Sequence, residues 1–157
     1  MRPERRIPGC LGALLGALTT APMAWFLLRQ DLFTGAAGLA GCLCALGGYR
    51  LLAGRSSGFG AFLAAVLTPP AALPGLWYAC AEQILLDNER FGCTMAEALE
   101  LVPAVALDPI NRSELVWAVG GVVVLDLLCV LFFARYLYLR RLEAAGNRQQ
   151  ATGNRKR

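Results

Sequence analysis

Four long apolar stretches, at residues 7–28, 33–52, 59–81 and 115–138, fill most of this 157-residue chain. Short polar breaks separate them. At about 1.5 Å of rise per residue, each stretch reaches as a helix across a hydrocarbon core about 30 Å thick. Backbone in lipid must satisfy its own polar groups, which favours helices for such runs. The chain therefore reads as an all-α membrane protein with four transmembrane helices. Charged residues make up 17% of it, against about 25% in a soluble domain. Four stretches of this length leave too little polar surface for a soluble helical protein.

The breaks predict an orientation. Arg2, Arg5 and Arg6 outweigh Glu4 ahead of the first span. Arg29 and Asp31 cancel in the next break, and Arg50 and Arg55 occupy the one after. The segment 82–114 holds Glu82, Asp87, Glu89, Glu97, Glu100, Asp108 and Glu114 against Arg90 and Arg112. From the last turn of the fourth span onward come Arg135, Arg140, Arg141, Arg148, Arg155, Lys156 and Arg157 against Glu143. Cytoplasmic flanks carry the excess of Lys and Arg. The alternation thus predicts an N-in/C-in bundle with the first loop and the acidic segment outside. Residues 1–142 read as one transmembrane domain, with 82–114 as its outer acidic segment. Residues 143–157 read as a basic, disordered cytoplasmic tail. Topology and attraction to anionic headgroups account for the tail's arginines, so membrane lipids are expected partners and nucleic acid is not. The first span exceeds the apolar core of a signal peptide, about 7–15 residues, and is read as retained.

Small residues mark expected contacts. Gly12 and Gly16 form a GxxxG step, and Gly35 and Gly38 crowd one region of the second span. Such positions let helix backbones approach closely, so all four are candidate packing residues. Pro22 is expected to kink the outer part of the first helix. The short 53–58 connection makes spans two and three antiparallel neighbours. Pro69, Pro70 and Pro74 sit inside span three, where each removes a backbone donor. A continuous straight helix is not expected there. Either the helix kinks, or it breaks in the manner transporters use to build a site.

In the acidic segment, Thr94 and Glu97 have capping-box spacing. Met95, Leu99, Val102 and Ala106 then recur at helical intervals. A short outer amphipathic helix is expected between spans three and four, bent or ended by Pro103. Asp108-Pro109 reads as a cap and first-turn proline opening the last helix. Asn111-Arg112-Ser113 matches a glycosylation sequon and is read as fortuitous so near the membrane.

Asp126 is the acid that lies well inside a span. It falls about eleven residues, roughly 16 Å, from the outer end of span four, near the bilayer centre. A carboxyl there must be protonated, paired or turned to a polar interior. Depth counting places Thr19, Thr20, Thr68, Cys42 and Cys44 in the same layer. Converging faces would make a candidate intramembrane polar site of Asp126, Thr19, Thr20 and Thr68. It could hold an ion or proton, or it could pin helices through a hydrogen bond.

Catalytic chemistry is not expected. The chain has no histidine and no Gly-x-Ser-x-Gly elbow. Glu82, Asp87, Glu89, Glu97 and Glu100 have oxygen ligands suited to a divalent cation, but no EF-hand spacing, and read as a solvated acidic loop. Most of the six cysteines fall in or beside apolar spans as small hydrophobes. Pairing of Cys93 with Cys80 stays open. No cofactor or metal is expected.

The runs Leu11-Gly12-Ala13-Leu14-Leu15-Gly16-Ala17, Ala21-Pro22 with Trp25, and Gly48-Tyr49-Arg50-Leu51-Leu52-Ala53-Gly54 carry a resemblance. With Ala96-Glu97-Ala98-Leu99 and Asp108-Pro109, they cover nearly the whole chain. The chain resembles a family of small uncharacterised four-span membrane proteins from anaerobic Gram-positive bacteria. Thr19-Thr20 and Pro69-Pro70 depart from that family's more regular helices. The resemblance implies the four-span architecture and a multi-pass protein of the bacterial cytoplasmic membrane. It implies no catalytic residue. The leading expectation is a structural or accessory membrane protein acting through helix packing, self-association or a membrane-protein partner. The alternative is an oligomeric cation or proton channel or transporter using Asp126 beside a proline-broken helix.

Overall fold

A computed structural model describes residues 5–30, 32–88 and 92–154. They form six helices: α1 (Arg6–Leu18), α2 (Thr20–Arg29), α3 (Gly35–Ala53), α4 (Gly58–Asp87), α5 (Met95–Leu107) and α6 (Pro109–Asn154). Helices α1 and α2 together make the first span. With α3, α4 and the Leu115–Arg140 part of α6, four helices are long and apolar enough to cross a membrane.

The side chains are sorted as a bundle in lipid requires. The interior is small: Ala13, Ala17, Ala37, Ala45, Ala64 and Ala72 have almost no exposure. Large apolar side chains such as Leu15, Leu43, Phe62, Leu131 and Phe132 point outward. In water that surface would be a severe aggregation liability. In lipid it costs nothing, and small residues inside let the backbones close up.

Helices α1 and α3 make the most extensive contact in the described residues. A Cβ on Gly12 would run into the carbonyl of Gly48, and one on Gly48 into the carbonyl of Gly12. Gly16 meets the backbone of Cys44 and Ala45 in the same way. Gly38 lies against the backbone of Val122 on α6, and Gly35 against the Phe33 ring and the Gly121 carbonyl. At the α3–α4 turn Gly54 takes φ 74°, where a side chain would be strained. Ser57 then caps α4 by accepting from the Gly60 N–H. The Arg5 N–H donates to the Ala53 carbonyl, so the start of α1 and the end of α3 share one end of the bundle.

Proline accompanies an interruption in one helix and none in two others. In the first span the interruption falls at Thr19, ahead of Pro22. The proline ring clashes with the carbonyl four residues earlier, that of Leu18, which moves the fault toward the N-terminus. The Thr19 and Thr20 hydroxyls donate to the carbonyls of Gly16 at 2.7 Å and Ala17 at 2.6 Å. Such back-bonding also bends helices. In span three no break occurs: α4 stays helical for 30 residues through Pro69, Pro70 and Pro74. Leaving the helix in lipid would strand more backbone groups than the donors three prolines remove. Helix α5 likewise continues past Pro103 to Leu107. Helix α6 carries the backbone to Asn154, beyond the boundary expected near residue 142. No proline follows Pro109 to stop it, and Leu142, Ala144 and Ala145 favour helix.

Helix α5 starts with a full capping box. The Thr94 N–H donates to Glu97 Oε2 at 2.8 Å, and the Glu97 N–H donates back to Thr94 Oγ1. Ala98 and Val102 pack on Ala81 and Ile84 of α4, while Glu97 and Glu100 stay exposed. The Thr94 N–H and hydroxyl hold the Glu97 carboxyl below the usual carboxylate range. A carboxyl depressed by folding adds stability above its unfolded value and loses it as pH falls through the folded one. The start of α5 will therefore loosen only on acidification below the normal glutamate range. A chemical-shift titration of Glu97 checks this, and a midpoint at or above the ordinary value contradicts it.

Candidate functional site: a buried carboxyl between three helices

One face of α6 turns inward through Val122, Asp126 and Cys129, at i, i+4 and i+7. Val122 belongs to an apolar cluster with Ala24, Ala37, Ala72 and Leu76. Cys129 belongs to another, with Ala17, Cys42, Ala45 and Ala64. Asp126 stands between the two clusters and is 0% exposed. Facing it from α4 is Thr68, flanked at helical spacing by Ala64 and Ala72. Facing it from α3 is Cys42. Cys129 approaches Cys42 from the α6 side.

The carboxyl is not held by hydrogen bonds. Both of its oxygens, and Thr68 Oγ1, are buried without a hydrogen-bond partner. Thr68 and Cys42 are near enough to interact but are not in bonding geometry. No arginine or lysine is paired with the carboxyl among the described residues. A buried polar group left this way costs about 1–3 kcal/mol, and a bare charge far more. The site therefore suits the neutral acid, or a carboxylate accompanied by a small cation.

The other residues counted into this layer fall elsewhere. Thr20 is fully buried, but its hydroxyl is spent on the Ala17 carbonyl and packs beside Gly41. Thr19 is exposed and bonded to Gly16. Cys44 is exposed on the far side of α3 from Cys42. Pro69 and Pro70 follow Thr68 directly, within unbroken helix. Cys129 was missed by depth counting. The i, i+4, i+7 stripe of Val122, Asp126 and Cys129 would have found it.

A second polar cluster fastens the opposite end of the bundle from the α3–α4 turn. Trp25 Nε1 donates to Glu82 Oε2 at 2.8 Å, and Arg29 lies 3.5 Å from Glu82 Oε1. The Arg29 guanidinium also sits 5.6 Å from the Trp25 ring centre. Glu82 is thus spent on tying α2 to α4. Glu89 lies outside the described residues. No group of three or more potential metal ligands converges among those described. All six cysteines are free thiols, Cys80 and Cys93 included.

No protein-family model, curated protein or solved structure matches this chain.

Proposed function

We propose that this chain is a non-enzymatic, multi-pass protein of the bacterial cytoplasmic membrane, acting as a structural or accessory component. Its small-residue bundle serves as a rigid platform for a second copy or another membrane protein. The observation that carries this reading is the closure around Asp126. Glycine–backbone contacts join α1 to α3 and α3 to α6, and the carboxyl has no exposed surface. An acid on a conduction path needs a route to it. An acid sealed between apolar layers has none. The N-in/C-in orientation is supported by Arg5, Arg50, Arg55 and Arg140, which gather where α1 begins, α3 turns into α4 and the last span ends.

One observation favours the alternative of cation or proton transport. Three polar atoms on Asp126 and Thr68 lack a protein partner, and a mid-membrane ionisable group is commonly functional. Flux separates the two. Purified protein in proteoliposomes will pass neither protons nor monovalent cations under a pH gradient or an imposed voltage. An Asp126→Asn variant, reconstituted equally, will behave the same. Flux in the native protein that the variant abolishes replaces the platform reading with transport.

A further inference from the structure

At the end of the bundle where α3 turns into α4, a cleft of about 440 Å³ opens against α6. Its size lies within the range of small-molecule sites, about 300–1,000 Å³. Three arginines line it: Arg50 from the last turn of α3, Arg55 from the turn and Arg140 from α6. Ser56 adds a hydroxyl, and Phe133 and Leu137 add an apolar wall. No carboxylate is paired with any of the three guanidiniums among the described residues; the Arg29–Glu82 ion pair lies at the opposite end of the bundle. Arg140 is steadied by Tyr136, whose ring centre lies 5.4 Å from the guanidinium carbon.

Three unpaired cations converging on one cleft repel one another unless an anion joins them. The fork of a guanidinium matches phosphate oxygens, and several such forks can share one phosphate. Depth supports the same ligand. The span Leu115–Arg140 has 26 residues, and a helix of that length is roughly 39 Å long, against a hydrocarbon core of about 30 Å. Arg140 therefore reaches the headgroup layer. Leu137 and Phe133, one and two turns back along α6, face the acyl region. The wall thus changes from apolar to cationic in the order in which a phospholipid changes from chain to phosphate.

We infer that Arg50, Arg55 and Arg140, with Ser56, form a binding site for a phosphate group, carried either by an anionic lipid headgroup or by a soluble phosphate compound. The site is separate from Asp126 and does not depend on whether that acid serves packing or transport.

The test uses the full chain, delipidated in detergent. In the first arm, native mass spectrometry follows binding of phosphatidylglycerol, with phosphatidylcholine as the zwitterionic comparison. In the second, thermal unfolding is recorded with millimolar inorganic phosphate and no lipid. The site variant is Arg50→Gln/Arg140→Gln. The control is Arg5→Gln/Arg135→Gln, which removes the same charge outside the cleft. Phosphatidylglycerol should bind the site variant about tenfold more weakly and the control as it binds the native protein. Phosphate-dependent stabilisation lost only in the site variant assigns the site to a soluble phosphate. A lipid effect alone assigns it to a headgroup. Equal weakening in both variants means diffuse charge and overturns the site. So does undiminished binding in the site variant, or no binding of either probe to the native protein. If the double variant does not fold, Arg55→Gln in the exposed turn takes its place, read against Arg5→Gln.

Discussion

Gly48→Ala will loosen the first two spans, whereas Gly47→Ala, one residue earlier, will not. A Cβ on Gly48 lands on the carbonyl of Gly12, while one on Gly47 meets nothing within 4 Å. The obstacle at Gly48 is backbone, and no rotamer change removes it. Helices α1 and α3 must then move apart along the contact that also seats Gly9, Gly16 and Tyr49. Overpacking of this kind costs about 1–3 kcal/mol, and more where backbone has to shift. Gly47→Ala stiffens an open helical position and should gain about 0.5–1 kcal/mol. The two variants add the same methyl group to neighbouring residues, so composition and hydrophobicity cancel. Denaturant or thermal unfolding in detergent measures the difference. Equal losses would mean that α1 does not seat on α3 through this glycine pair.

Replacing Asp126 by leucine, which keeps the branching of the side chain, should raise stability. The carboxyl is buried between two apolar clusters with neither oxygen bonded. Relieving an unsatisfied buried polar group returns about 1–3 kcal/mol, less whatever strain the larger methyl groups introduce. Small neighbours at Cys42 and Thr68 limit that strain. Thr68→Val, which removes the other unpartnered oxygen, should be neutral or mildly stabilising for the same reason. The outcome also bears on function. A gain would leave the platform reading resting on the glycine–backbone contacts and not on the acid. A fall in stability in both variants would show that Asp126 and Thr68 bond each other, and the carboxyl would then be part of the fastening.

Much of the architecture is readable from residue type and spacing. Four apolar runs become four helices that are long enough to cross a membrane. Thr94 and Glu97 announce the start of α5, because a capping box is a local contact that needs no partner helix. Asp108-Pro109 announces α6 because a first-turn proline is likewise a local preference. The prolines were harder to read. Local rules assign the span-three prolines a kink or a break; no break occurs, because in lipid the cost of leaving the helix outweighs a few missing donors. The polar layer was half readable. Counting residues gives depth along a span but not which way a side chain faces. Thr68 and Cys42 turn toward Asp126, while Thr19 and Cys44 turn away. The arginine cleft was not readable, because Arg50 and Arg140 are 90 positions apart and are joined only by the packing of α3 on α6.

The α1–α3 contact also bears on how the protein is made. It is the most extensive among the described residues and lies wholly within the first 53. During synthesis, N-terminal elements emerge first, so this hairpin can close while the rest of the chain is still on the ribosome. The span bearing Asp126 arrives last. Placing that acid at the middle of a helix in lipid alone costs about 2.5–3.5 kcal/mol. By then Cys42 and Thr68 already stand on helices delivered before it. The acid therefore meets its two polar neighbours only when the fourth span packs against α3 and α4, which makes that packing the step in which its burial is decided.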